Sequence, residues 1–188
     1  MDEEDTKIDD FLSFIEKRII FPIDETDINE SCTATLLLIF AAIDSLSKIT
    51  CGDNEFELYK EKKGNRKRFV GFIEGVMNKK YKNFKEEIYD LRNDIVHTGI
   101  NTKVILSKNV HDVKHLQKVN GYLWINTKKL FKDFTETFEK IKTVIGNKGT
   151  FYLNAKNRLK SLNIINIDGD EYDEAIPSPG PIVSPFQE

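Results

Sequence analysis

The residues of this chain best suited to chemistry lie in one short segment, Arg92-Asn93-Asp94-Ile95-Val96-His97. Histidine titrates near neutrality when unperturbed, so His97 can accept a proton or deliver one under ordinary conditions. A guanidinium offers a planar fork of donors that fits phosphate and meets negative charge as it develops. Asn93 carries both a donor and an acceptor and can orient His97 or a bound phosphate by hydrogen bonds. Together these types suit phosphodiester chemistry. On an ideal helix Arg92 and His97 lie about 140° apart, whereas Asn93 and His97, four positions apart, share a face. A single helix does not assemble the trio by itself. Either the long arginine wraps round a distorted last turn, or two chains meet there. The plainer alternative is that both cations cap carbonyls at a helix end, where positive charge is favoured.

Weaker signals lie elsewhere in the chain. His111 and His115 are four apart, but His111-Asp112-Val113-Lys114-His115 lacks the glutamate of the zincin motif. Steering of RNA beside Lys108, Lys114 and Lys118 is the better use for them, and neither a metal nor any other cofactor is expected. Trp124, with Tyr122, can stack a base, although a buried anchor between the hairpin and the long helix is the preferred reading. Lys62, Lys63, Arg66, Lys67 and Arg68, followed by Lys79 and Lys80, form the most basic stretch. Such a stretch can hold a phosphate backbone, or it can be an ordinary solvated surface. The net charge of −3 argues against a bulk polyanion binder. There is no glycine-rich phosphate loop and no nucleophile elbow.

Helices must position these groups. Ile8, Phe11, Leu12, Ile15 and Ile19 have helical spacing and predict a helix over residues 5–20, stopped by Pro22. Ser31 or Thr33 caps a second helix that runs to about Thr50 and is apolar nearly all round, so it should be the most buried element. Phe69, Phe72, Ile73, Val76 and Met77 mark a third helix. After a break at residues 78–80, Tyr81 to His97 forms a fourth, closed by Gly99. Val104-Ile105-Leu106 and Tyr122-Leu123-Trp124-Ile125 are β-prone and either pair as a small hairpin or stay as loops. Phe131, Phe134, Phe138, Ile141 and Ile145 mark a long fifth helix, and a last one covers Phe151 to Leu162.

With 39% hydrophobic residues and 13 phenylalanines, the chain can bury a core without disulfides. Its two cysteines, Cys32 and Cys51, read as reduced thiols of a cytoplasmic protein. The acidic start Met1-Asp2-Glu3-Glu4-Asp5 is unlike an export signal, and the apolar run Leu36 to Ile43 is too short to cross a bilayer, so no membrane role is expected. The organisation expected is one helical domain over residues 5–165. An acidic, proline-rich tail follows at 166–188, which cannot bury enough surface to offset its ordering entropy.

The segment Tyr89 to Gly99 resembles the R-x4-H signature of the HEPN family, in which a polar residue, here Asn93, follows the arginine. The helix with Ala41-Ala42-Ile43-Asp44-Ser45-Leu46 resembles the family's helix that carries an acidic residue toward the site, which places Asp44 there. The resemblance covers roughly residues 5–145. It implies an all-α, up-and-down bundle of four to six helices, with room for a small β-hairpin insertion near 103–125. It also implies metal-independent RNA cleavage, with His97 as base or acid, Arg92 as phosphate clamp, Asn93 as orienting group and Asp44 holding Arg92. The partners implied are RNA, a second copy sharing an active-site cleft, and an antitoxin or defence protein. A non-catalytic HEPN module binding RNA, nucleotide or protein is the alternative, because a fold does not establish activity. Some members carry a tyrosine two residues after the histidine. Here that position is Gly99, so the chain departs from that subtype.

Overall fold

The computed structural model describes residues 3–25, 31–51, 64–99, 103–109, 111 and 114–159. The first helix, α1 (Glu3–Ile15), opens with Glu3, Glu4 and Asp5, which suit the positive end of a helix, and buries Ile8, Leu12 and Ile15. The chain does not stop at Pro22. It widens into a π-turn over Glu16–Ile20, where the Phe21 N–H bonds to the Glu16 carbonyl, and continues as α2 (Phe21–Glu25). Proline has no N–H to give and its ring crowds the carbonyl four residues back. A wide turn just before it relieves both problems, so the helical path survives.

Ser31 caps α3 (Cys32–Thr50) by accepting the Ala34 N–H at 3.3 Å; Thr33 lies inside the helix. This helix buries Leu36, Ile39, Phe40, Ala42, Ile43, Leu46 and Ile49. The whole of Cys32–Thr50 is long and apolar enough to cross a membrane, which the run Leu36 to Ile43 alone did not suggest, and half of it is buried inside the protein. Among the described residues it packs against every later α-helix, from α4 (Gly64–Gly75) and α5 (Lys85–Thr98) to α6 (Thr127–Gly146) and α7 (Thr150–Leu159). Helix α4 begins earlier than its apolar spacing implies, so Arg66, Lys67 and Arg68 stand on a helix and not in a loop. A 3₁₀ turn, Lys79–Phe84, links it to α5. Gly99 ends α5 in the left-handed conformation, φ 68°, returning its N–H to Ile95.

A small sheet interrupts the helices. Its strands are β1 (Val104–Ser107), β2 (Gln117–Val119) and β3 (Tyr122–Asn126), in the order β1-β3-β2. The two β-prone runs do pair, but in parallel, with Val104 opposite Leu123 and Ser107 opposite Asn126. The antiparallel hairpin is instead β2–β3. Its turn is Asn120-Gly121, with φ of 52° and 82°, a two-residue turn that glycine and asparagine favour. Strand passes directly into helix at Asn126. Its side chain caps α6 by accepting the Lys129 N–H at 3.0 Å and donates to the Asn109 carbonyl at 2.6 Å.

The molecule is therefore mostly helical with a small three-stranded sheet. One apolar core extends from Ile8 to Leu159. Residues 160–188, including the tail, lie outside the described residues. Near the R-x4-H segment the core is aromatic. Phe69 of α4 meets Phe40 of α3 and Tyr89 of α5 edge-on, with ring centroids 5.8 and 5.6 Å apart. These contacts lock α3, α4 and α5 together one turn before Arg92.

Candidate functional site

Asp44 lies on a helix otherwise crowded with buried aliphatic groups, and its carboxylate turns toward α5. Arg92 Nη2 and Nε both donate to Asp44 Oδ2, at 2.7 and 3.1 Å. Arg92 Nη1 donates to Asn93 Oδ1 at 3.0 Å. The side chains of Arg92 and Asp44 are only 18% and 29% exposed, so this ion pair works under partial exclusion of water. Charge-assisted bonds of this kind are short and strong, and each partner strands the other if removed.

Three of the four residues expected at the site thus interlock: Asp44, Arg92 and Asn93. His97 does not join them. It is exposed in the last turn of α5, and among the described residues no hydrogen bond or ion pair links it to Arg92. The reason lies in the spacing. Arg92 turns inward to α3, and five residues later the helix has carried His97 round to the outside.

Beside this segment, a cleft of about 510 Å³ opens between α5 and the sheet. Asn93 lines it, with Asp90 and Asp94 on the same wall and Lys103 and Lys118 across from them. Neither Arg92 nor His97 lines it.

Of the five described basic residues expected to hold RNA, three are committed to carboxylates or amides. Arg66 bonds Glu86 at 2.7 Å, which holds its guanidinium above its usual pKa, and lies over the Tyr89 ring. Arg68 donates to Asn65, and Lys80 pairs with Asp133 at 2.6 Å. Lys67 and Lys79 are exposed; Lys62 and Lys63 lie outside the described residues. Lys82 and Lys85 share Glu74, and Lys118 bonds Glu87 at 2.6 Å. His111 is exposed while the His115 side chain is only 6% exposed, so the two do not form one histidine face. Lys114 covers the half-buried Trp124 ring at 4.4 Å, which occupies the surface a stacking base would use.

A second polar cluster leaves no local mark in the sequence, because its members come from three distant segments. Tyr81 of the 3₁₀ turn donates to Asp133 of α6 at 2.6 Å and lies 2.9 Å from His115 Nε2. The Asn126 N–H donates to His115 Nδ1 at 3.1 Å. With Nδ1 accepting, a neutral ring carries its proton on Nε2 and gives it to the Tyr81 oxygen. Tyr81 is wholly buried, and burial together with the Asp133 carboxylate pushes its hydroxyl far above the usual phenol range. It stays a neutral donor that ties the sheet to the helices.

Comparisons with protein-family models, with curated proteins and with solved structures give no match.

The Asp44–Arg92 pair and Tyr81 can each be tested by unfolding. Asp44→Ala leaves a mostly buried guanidinium without its anion, and urea unfolding is expected to register a loss of roughly 1–3 kcal/mol. Combining it with Arg92→Ala should cost less than the two single changes added together; strict additivity would mean that the pair does not couple. The unfolded Tyr81 phenol ionises near 10.0 while the folded one keeps its proton, so the stability it contributes is complete below that pH and is lost as pH rises. Tyr81→Phe should flatten the alkaline limb of a stability-against-pH curve; an unchanged slope above pH 10 would exclude Tyr81 as its source.

Proposed function

We propose that the chain is a HEPN-type ribonuclease domain that cleaves RNA without a metal ion, with the R-x4-H segment of α5 as one half of its active site. The observation that carries this reading is the Asp44–Arg92–Asn93 interlock. The acidic residue on one core helix engages the guanidinium, as the resemblance implies, while Asn93, which the resemblance turns toward His97 or the phosphate, bonds the guanidinium instead.

The chemistry follows from the groups present. The RNA 2′-oxygen attacks the adjacent phosphorus as a base takes its proton, and the 5′-oxygen leaves as an acid protonates it. The products are a 2′,3′-cyclic phosphate and a 5′-hydroxyl. His97 serves as that base or acid, and its exposure leaves it open to substrate. Arg92, held at its inner end by Asp44, faces the charge that builds on the phosphate. Because Arg92 and His97 lie on different sides of α5, a second copy brings the complementary halves into one cleft. The setting, bacterial toxin or antiviral defence with an antitoxin or defence partner, rests on the resemblance. So does a cytoplasmic location.

One observation favours a second reading, a non-catalytic module that binds RNA, nucleotide or protein. Within one chain the Nε, Nη1 and Nη2 of Arg92 are already bonded to Asp44 and Asn93, which limits what remains for a phosphate.

Incubating total RNA with wild type and His97→Ala in EDTA separates the two. Wild type is expected to release cyclic-phosphate ends, and the variant to be slowed by about 100-fold or more. Equal cleavage by both removes His97 from the chemistry, and no cleavage by wild type supports the binding module. Light scattering at micromolar concentration should give the mass of a dimer; a strict monomer would rule out the shared cleft.

A further inference from the structure

The cleft between α5 and the sheet is built unlike a phosphate site. Its floor is apolar, made by Leu91, Val104 and Leu123, which are 1%, 9% and 2% exposed. One wall carries Asp90, Asn93 and Asp94, three side chains on neighbouring positions of a helix face. At about 510 Å³ it has the size of a small-molecule site. Gly121 at its edge has no side chain, and nothing lies within 4 Å of where a Cβ would stand, so the mouth is open there.

Asp94 is the telling group. It is half-buried against that floor, yet among the described residues its carboxylate has no hydrogen bond or ion pair. A carboxylate so placed accepts hydrogen bonds from an N–H donor and repels a phosphate. Asn93 connects this wall to the R-x4-H segment, since it also bonds Arg92, and His97 lies three residues beyond Asp94 on the same side of the helix. Lys103 and Lys118 also line the cleft, with Lys118 bonded at 2.6 Å to Glu87, a third lining carboxylate.

We infer that this cleft seats a nucleobase bearing an exocyclic amine, with the amine donated to Asp94 and Asp90. The flat ring lies against Leu91, Val104 and Leu123, and the sugar-phosphate leaves past Lys103 toward His97. Acidic side chains accept in this way from the cytosine amine, and they have no donor for the carbonyl that uracil carries in the same place. That RNA supplies the base rests on the ribonuclease reading; the preference for an amine is read from the cleft itself. A site built around such a donor discriminates against the analogue lacking it, because the carboxylate is then left desolvated and unpaired.

The test uses cytidine 3′-monophosphate and uridine 3′-monophosphate, which differ at the amine and its adjoining ring nitrogen. Each is titrated into the full chain while the backbone amide signals of Leu91, Asp94 and Leu123 are followed. Cytidine nucleotide is expected to bind roughly tenfold more tightly, shifting all three signals. Asp94→Ala should bring the two affinities to within about twofold, and Asp90→Ala should narrow the ratio as a second, independent variant. Equal binding of both nucleotides, binding of neither, shifts confined to residues outside the cleft, or an unchanged ratio in both variants would overturn the inference. Selective binding by a chain that leaves RNA intact would sink the ribonuclease reading and leave this one standing.

Discussion

The ion pair between Asp44 and Arg92 is the constraint around which the candidate site is arranged. Helix α3 is apolar enough that a lone carboxylate in it would be costly, and α5 delivers the guanidinium that meets it. Two arginine donors converge on a single carboxylate oxygen, tying α5 to α3 in the orientation that also buries Ile88, Leu91 and Ile95. Ile88, Leu91 and Ile95 then face the core, and Asn93, Asp94 and His97 are turned toward the sheet side and solvent. The edge-on stack of Phe40, Phe69 and Tyr89 supports the same register from the other side.

Surface charge is organised differently from what a basic stretch suggests. Glu74, Glu86, Glu87 and Asp133 each hold at least one lysine or arginine. Exposed pairs of this sort contribute little stability, but they cancel much of the field that would attract a polyanion.

The helices were legible because large apolar residues three and four apart gather on one face only when the backbone coils with a helical period. The Ser31 cap and the Gly99 stop could be reached from local rules, whereas the Asp44–Arg92 contact was reached through the resemblance, with the cost of an unpaired charge in an apolar helix as its physical reason. Pro22 misled because a π-turn ahead of it removes the clash that normally ends a helix. The β pairing misled because a parallel partner is chosen by tertiary packing, not by neighbouring residues. The Asn120-Gly121 turn was written in the sequence, but Gln117-Lys118-Val119 is too short and polar to advertise a strand beside it. The Tyr81–His115–Asp133 cluster was out of reach, since its hydrogen bonds span up to 52 residues.

Asn126 has a mechanical consequence. One residue ties the end of β3 to His115 through its N–H, anchors the preceding loop through its amide and starts the 20-residue helix α6 through its oxygen. No slack separates strand from helix. Inserting even one residue there would rotate the sheet about 100° around the α6 axis. Sheet and helix are therefore coupled through one residue, and a displacement of β3 reaches the first turn of α6 directly.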